Sequence, residues 1–188
     1  MRDWESLRAA ARACTASELC RTRTNVVFGD GDPNAKILFI GEAPGEQEDL
    51  SGIPFVGAAG KLLDDLLASV GMSRKRVYIA NILKCRPPNN RDPQPSEQDA
   101  CIPFLREQTA LLQPRMIVCV GRIAACRLID PGFRIMRQHG EWTERRGVLM
   151  TAVLHPSALL RAQQNRPPTY LDFVEIARRA REENLIQE

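Results

Sequence analysis

The 188-residue chain reads as an α/β protein, a three-layer αβα sandwich around a central, mostly parallel four-stranded sheet. Two observations carry this reading. Short apolar runs alternate with longer segments of helical period, the pattern of parallel strands joined by crossover helices that cover both faces. Polar or glycine motifs stand at the ends of these runs: Glu42 after the first, Asn81 at the close of the second, Gly121 after the third and His155 after the fourth. In a parallel sheet those ends share one edge, where α/β proteins bind ligands.

The elements follow in order. Residues 3–13 suit a helix. Residues 15–35 have no period, and Gly29-Asp30-Gly31-Asp32-Pro33-Asn34 reads as a loop on turn chemistry. Ile37-Leu38-Phe39-Ile40 is apolar, too short for a helix and bounded by glycine, hence a strand. The GEAPG loop after it sets Gly41 and Gly45, which turn freely, around Pro44, which fixes φ. Glu42, Glu46, Glu48 and Asp49 crowd this loop, and a second breaker segment, 52–57, carries Phe55. Leu62, Leu63, Leu66, Leu67 and Val70 mark an amphipathic helix over 58–70. Residues 76–81 form the second strand, and the prolines of KCRPPNNRDPQP force a long loop. Ser96 is expected to cap a helix over 97–112, with Glu97 and Asp99 favoured by the dipole of its first turn. A strand at 116–120, a helix at 122–129, a strand at 147–154 and a helix at 169–183 complete the chain. No internal repeat is present.

Composition narrows the function classes. Hydrophobic residues make up 44% and charged residues 26%, an ordinary globular balance, and the length suits one domain over 1–188. The net charge of +3 excludes a polybasic-tail protein. Any nucleic-acid contact must come from local clusters such as Lys84/Arg86/Arg91 and Arg161/Arg166. No apolar run approaches the roughly 20 residues of a membrane span, and the amino-terminal segment is charged rather than signal-like. The expectation is a cytoplasmic protein, monomeric and without a membrane partner. Six cysteines in that compartment argue against disulfides. Cys119 and Cys126 suit the core. Cys14, Cys20, Cys85 and Cys101 lie beside loops and helix ends, and four thiolates brought together suit zinc or an iron–sulfur cluster, although no CxxC occurs.

Several residues admit two readings each. His155, alone, is a turn histidine; at the edge shared with GEAPG and Asn81 it becomes a site residue. His139 is expected at the surface. Asn81 is either a strand-end turn residue or an amide that reads a planar base edge. Phe55 is either a core aromatic or a stacking face for a base. Leu159-Leu160-Arg161 is either a helix turn or an apolar wedge for base steps beside a phosphate-holding arginine.

Taken together, GEAPGEQED, GIPFVGAAGKLLD, YIANILKCRPPNNR and HPSALLR resemble the motifs of family 4 uracil-DNA glycosylases, the iron–sulfur type, in order and at matching separations from Cys14 to about Arg161. The resemblance implies an enzyme that flips uracil out of single- or double-stranded DNA and hydrolyses its glycosidic bond, leaving an abasic site. It implies uracil stacked on Phe55 and read by Asn81, with the Ala43 backbone and Glu48 closing the pocket and His155 facing uracil O2. Glu42 and Asn90 correspond to a pocket-ordering polar pair. Ala43 stands where other uracil glycosylases carry an aspartate base. Ser157, Leu159, Leu160 and Arg161 would meet DNA, with Leu159 or Leu160 filling the gap left by the base.

The same resemblance implies a 4Fe–4S cluster on four cysteines, the first two spaced CxxC. Cys14, Cys85 and Cys101 match, but Ser17 occupies the second position. Serine is a poor substitute for a soft thiolate. Either Cys20 serves as fourth ligand, or an iron is left with serine oxygen or water, giving a labile cluster. A related branch that traps its product through a histidine has no counterpart here, since Pro87-Pro88-Asn89-Asn90-Arg91 contains none. Two other classes compete: a nucleotide- or phosphate-binding module, opposed by the acidic run 46–49 and by the lack of a Walker or dinucleotide fingerprint, and an iron–sulfur redox protein, which needs neither Asn81 nor Phe55.

Overall fold

A computed structural model describes residues 3–186. Its strands are β1 (Asp30–Gly31), β2 (Ile37–Gly41), β3 (Tyr78–Asn81), β4 (Met116–Val120), β5 (Trp142–Arg145) and β6 (Val148–Val153). The principal helices are α1 (Trp4–Arg12), α2 (Glu46–Ser51), α3 (Ala58–Ser69), α4 (Pro95–Leu112), α5 (Arg122–Leu128), α6 (Ile135–Gln138), α7 (Pro156–Arg161) and α8 (Arg166–Glu182).

The sheet has six strands in the order β1-β3-β2-β4-β6-β5, not four. The four expected strands form its parallel centre, and β1 and β5 add antiparallel edges. Both additions lack a buried apolar run. β1 is two residues inside the segment expected to be loop, and β5 is the half-exposed polar sequence Trp-Thr-Glu-Arg.

The central strands are buried on both faces, as parallel strands covered by crossover helices must be. Side chains alternate along β2. Ile37 and Phe39 join one cluster with Leu63, Leu66 and Leu67 of α3 and Phe173 and Ile176 of α8. Leu38 and Ile40 join another with Ile102, Leu105 and Leu112 of α4 and Ala124 and Ala125 of α5. Phe39 stacks on Phe173 at 6.2 Å. α1 lies outside α4, fastened by Leu7, Ala11 and Phe28 and by a buried hydrogen bond from Gln108 Nε2 to Phe28 O at 2.8 Å.

Three local expectations need correction. The amino-terminal cap of α4 is Gln94, with Pro95 at the first helical position, so Ser96 lies inside the helix. Glu97 accepts from Gln94 N at 2.8 Å and takes Arg91 on both carboxylate oxygens, which anchors the proline-rich loop. His139 is not a surface residue: its Nδ1 lies 2.7 Å from Asp172 Oδ2, and both side chains are largely buried. The carboxyl-terminal helix starts at Arg166, three residues before its expected start, because Pro167 and Pro168 suit a first helical turn. Among the described residues no helix is long and apolar enough to cross a membrane.

Candidate functional site

The carboxyl ends of β2, β3, β4 and β6 open into a cleft of about 610 Å³. Its lining includes Glu42, Ala43, Glu48, Phe55, Asn81, Asn90, Asp92, Arg122, His155, Ser157 and Arg161. Asn81 closes β3 opposite Gly41 of β2. A Cβ at Gly41 would stand 2.4 Å from Asn81 Oδ1 and 2.5 Å from Phe55 Cζ, so glycine is required for the amide and the ring to approach each other here. The Phe55 ring lies 5.7 Å from the His155 imidazole. Asn81 is 2% exposed, and its Oδ1 is buried without a hydrogen-bond partner among the described residues. A buried carbonyl oxygen left unpaired costs on the order of 1–3 kcal/mol, so such an atom marks an acceptor open to a ligand or water.

Phe55 holds this place in a strained backbone. Its φ is 54°, the left-handed region, which a bulky aromatic occupies at a cost of about 1–3 kcal/mol. The surroundings over-determine it. Arg74 donates to Pro54 O at 2.9 Å and to Phe55 O, while its Nε is held by Asp64 at 3.0 Å. Gly60 of α3 lies directly beneath, where a Cβ would sit 1.9 Å from Phe55 O. Glu48 completes the frame: Oε1 accepts from Val56 N and Gly57 N, both at 2.9 Å, and Oε2 from Gly45 N at 3.1 Å. It lines the cleft, but both its oxygens serve the loop.

The remaining polar groups differ in how firmly they are held. His155 caps α7, and its Nδ1 accepts from Ser157 N at 3.2 Å and lies 2.8 Å from Ser157 Oγ. With Nδ1 accepting, the proton of the neutral ring sits on Nε2. Burial, reinforced by Arg161, lowers the His155 pKa to about 4, so the imidazole is neutral at physiological pH. Glu42 is shifted the other way: burial, then the charge of Asp92, raises it to about 7 against a smaller opposing effect of Arg122. Its carboxyl makes no hydrogen bond to another described residue, whereas Glu46 pairs with Arg86 at 3.7 Å and Asp92 with Arg122 at 2.8 Å. The stability consequences oppose each other. The folded state binds the Glu42 proton more tightly than the unfolded chain, so that term weakens as pH rises from 4.5 towards 7. It binds the His155 proton less tightly, so that term strengthens as pH rises from 4 to 6.5.

Comparison with known proteins agrees with this geometry. Residues 28–178 match the family model described as the uracil DNA glycosylase superfamily. The chain belongs to that superfamily. A type-4 uracil-DNA glycosylase of Archaeoglobus fulgidus is 48% identical over 172 residues, covering 87% of this chain and 86% of the relative. One from Thermotoga maritima is 46% identical over 158 residues, covering 82% and 81%. A type-5 enzyme of Pyrobaculum aerophilum is more distant, at 33% over 146 residues, covering 69% and 64%. The similarity is thus to the type-4 members.

Within this glycosylase frame, Ala43, Glu48, Phe55, Asn81 and His155 share the cleft with Glu42 and Asn90. Asn90 is exposed and its Oδ1 accepts from Arg86 Nε at 2.7 Å, so its polar partner is Arg86 rather than Glu42. The HPSALLR segment divides. Ser157 is bound to His155, and Arg161 and Leu160 are exposed, but Leu159 is fully buried in the core beneath α7. Leu159 therefore packs beneath the loop in this structure, and Leu160 is the exposed apolar residue of the pair. Sequence reasoning missed Arg74, Gly60, Asp92 and Arg122. Only Gly60, a helix glycine inside GAAGK, left a visible signal.

The cysteines fall into one neighbourhood. Burial raises the Cys85 and Cys101 thiols above the usual range, and nearby sulfurs push the same way: Cys14 and Cys20 on Cys85, Cys85 and Cys14 on Cys101. Cys85 Sγ accepts from Arg23 Nη1, and Cys101 Sγ from Lys84 N, each at 3.2 Å. Among the described residues no three His, Cys, Asp or Glu side chains meet closely enough for a single metal ion. Two of the four sulfurs, Cys85 and Cys101, thus take one donor each, and the set of four thiols has the soft-ligand chemistry that an iron–sulfur group uses. Ser17 begins the short 3-10 turn Glu18–Arg21, its carbonyl accepting from Cys20 N at 3.2 Å.

Arg74→Met should loosen the Phe55 segment while sparing the sheet. Amide hydrogen exchange at Val56 and Gly57 is expected to accelerate, with β4 amides unchanged; equal protection in both proteins would remove Arg74 from this role.

Proposed function

We propose that the protein is a uracil-DNA glycosylase whose pocket is the cleft between Phe55, Asn81 and His155. The unpaired, buried Oδ1 of Asn81 carries this reading, because it is an acceptor waiting for a planar partner beside an aromatic ring. Uracil offers a match: N3–H donates to Oδ1, and O4 accepts from the amide nitrogen. Cytosine presents a lone pair at N3, which would leave Oδ1 unsatisfied, and sites built on such pairing reject the wrong base strongly.

A base within stacked DNA cannot be reached, so the nucleotide is everted at a cost of a few kcal/mol, roughly, and least in mismatches or single strands. Leu160 is the group available to fill the gap, and Arg161 the cation available to a phosphate. As the glycosidic bond breaks, electrons pass to the uracil ring, and negative charge grows on N1 and O2. The neutral His155 donates from Nε2 to O2, with Nδ1 held by Ser157 so that the ring need not reorient. A fixed donor in a dry site stabilises this charge far better than water does. Water completes the hydrolysis at the sugar carbon, giving free uracil and an abasic site. Ala43 supplies no side-chain base. Glu42, a cleft carboxyl with neither a hydrogen bond nor an ion pair to another described residue, is the group we assign to orient that water and face the sugar's positive charge.

The cluster implied by the family resemblance would be held by Cys14, Cys20, Cys85 and Cys101. When bound it would supply a covalent tie between the amino-terminal segment, the end of the β3 loop and α4. Cys20 takes the place left by Ser17 because it carries a thiolate-forming side chain near Cys85, whereas Ser17 offers only a hard oxygen.

Three outcomes check this proposal. His155→Ala and Asn81→Ala should each lower excision from uracil-containing oligonucleotides by about 10²–10³-fold with unchanged circular dichroism; full activity in both would place the site elsewhere. Glu42→Gln should excise at least about tenfold more slowly, and lose the rise in rate as pH climbs through 7, while melting higher than wild type at pH 8 because a disfavoured buried charge has gone. Cys20→Ser should lose iron and visible absorption while Ser17→Ala retains both, and the reverse pattern would return the fourth position to Ser17.

A further inference from the structure

One rim of the cleft plays no part in the uracil slot. The turn α6 contributes two of its residues, Ile135 and Met136, to the cleft wall. The chain enters this turn through Phe133, which is buried in the core, and Ile135 packs against both core clusters. The turn is also closed on itself: Arg134 N donates to Gln138 Oε1 at 2.8 Å, and Gln138 N to Arg134 O at 3.0 Å. With Phe133 and Ile135 anchored inward, Arg134, Met136 and Arg137 stand exposed on a fixed support. Met136 is 60% exposed, against 39% for Leu160.

The two arginines lack local partners. Neither guanidinium makes an ion pair or a hydrogen bond to another described residue, whereas Arg122 and Arg178, also on the surface, pair with Asp92 and Glu175. Arg134 and Arg137 line a second depression of about 620 Å³, so α6 stands between it and the cleft. Arg145 lies there too but donates to the carbonyls of Leu128 and Ile129. The carboxylates of the depression, Asp130 and Glu141, accept from Gly132 N at 2.6 Å and from Gln138 Nε2 at 3.3 Å. Three arginines against two engaged carboxylates leave it positive. A single exposed methionine is ordinary on a protein surface. This one continues the wall of the cleft between two uncompensated cations, and an apolar face beside positive charge is what a single nucleic-acid strand meets on its binding proteins.

We propose that α6 is a second DNA-contact element that holds the uracil-bearing strand beside the everted nucleotide: Met136 lies against the face of one flanking base, and Arg134 and Arg137 take phosphates of that flank. The inference rests on the glycosylase reading above and deepens it, by naming where the damaged strand runs once its base is in the slot. The same strand is assigned, rather than its complement, because Ile135 and Met136 share the wall of the slot's own cleft, and the nucleotides nearest an everted base are its neighbours in the chain. A thioether is soft and flexible, so it meets any base without choosing one. Guanidinium groups hold phosphates without reading sequence. Leu160 and Arg161 thus serve the gap, and α6 serves the flank.

The probe is a single strand carrying one deoxyuridine fluorinated on its sugar, where the electron-withdrawing fluorine resists cleavage of the glycosidic bond. It is prepared with flanks on both sides, with the upstream flank alone, with the downstream flank alone, and as a duplex. Binding is followed by fluorescence anisotropy over a range of salt. Arg134→Gln/Arg137→Gln should bind the two-sided strand about 5–50-fold more weakly, and its plot of log affinity against log salt should be shallower by about 1.4, the sum of about 0.7 for each phosphate lost. The loss should recur with one of the one-sided strands and be absent with the other. Arg134→Lys/Arg137→Lys should recover most of it. Met136→Ser should weaken the two-sided strand about 2–10-fold with the salt slope unchanged. On the cleavable uracil strand these losses should appear in KM more than in kcat. Wild-type affinity and slope in the glutamine variant, equal losses with both one-sided strands, or a loss confined to the duplex, which puts the complementary strand on α6, would each overturn the proposal. Should the double variant fail to fold, Arg137→Glu alone decides: weaker binding of the same one-sided strand is expected, and unchanged binding overturns the assignment. A wild-type protein that neither excises uracil nor prefers the uracil strand to one with thymine would instead bring down the glycosylase reading, and this inference with it.

Discussion

The site depends on one missing side chain. Gly41 ends the central strand where the Asn81 amide and the Phe55 ring converge, and any Cβ there would overlap both. Because β2 and β3 pair in register through Gly41 and Asn81, the place of the amide against Gly41 is set by the sheet rather than by a loop. The centre of the sheet is buried on both faces. An amide mounted there keeps its geometry without help from a ligand, which is what preorganisation requires.

The aromatic wall is built differently. Phe55 is carried by a loop, and its left-handed backbone is a state that loops leave readily. What holds it is a set of groups drawn from separate parts of the chain: the Arg74 guanidinium, the Glu48 carboxylate and the bare helix surface at Gly60. Ionised groups in charge-assisted hydrogen bonds are strong enough to offset a strain of this size. Glu48 and Arg74 thus act on the ring through its backbone, so the acidic run of the first loop includes a structural carboxylate. Glu42 differs from Glu48 in this respect: the first is desolvated and unengaged, the second fully engaged.

Most of this arrangement was legible in the sequence because it rests on period and punctuation. The four buried strands are uninterrupted apolar runs, and each site motif directly follows or closes one. What escaped notice had no such signal. β1 and β5 are held by edge pairing alone, so neither needs an apolar run. Gln94 caps α4 through the Glu97 carboxylate and Pro95, a pattern that the neighbouring Ser96 obscured. Leu159 and Leu160 look equivalent in one dimension, yet the first turn of α7 points one into the core and the other outward. Arg74, Asp92 and Arg122 act from elements remote from the motifs, and a single sequence gives no reason to connect them. The Ser17 departure and Cys20 as its candidate substitute were both legible; that Cys20 lies near Cys85 was not.

The opposite shifts of His155 and Glu42 follow from the same enclosure. Burial penalises whichever form is charged, so it strips the proton from the imidazole and keeps one on the carboxyl. Near neutrality the cleft therefore holds a neutral donor and a carboxyl close to its ionisation point, a pair suited to a reaction that builds negative charge on the base and positive charge on the sugar. A cationic His155 would attract an anion more strongly, but the enclosure makes burying that cation costly and so keeps the ring neutral. Arg161 contributes to the same end: its charge opposes protonation of His155 while remaining exposed, where a phosphate can meet it. In the proposed reading, the cation offered to a phosphate thus also helps keep the imidazole that faces uracil neutral, so both contacts draw on one electrostatic arrangement.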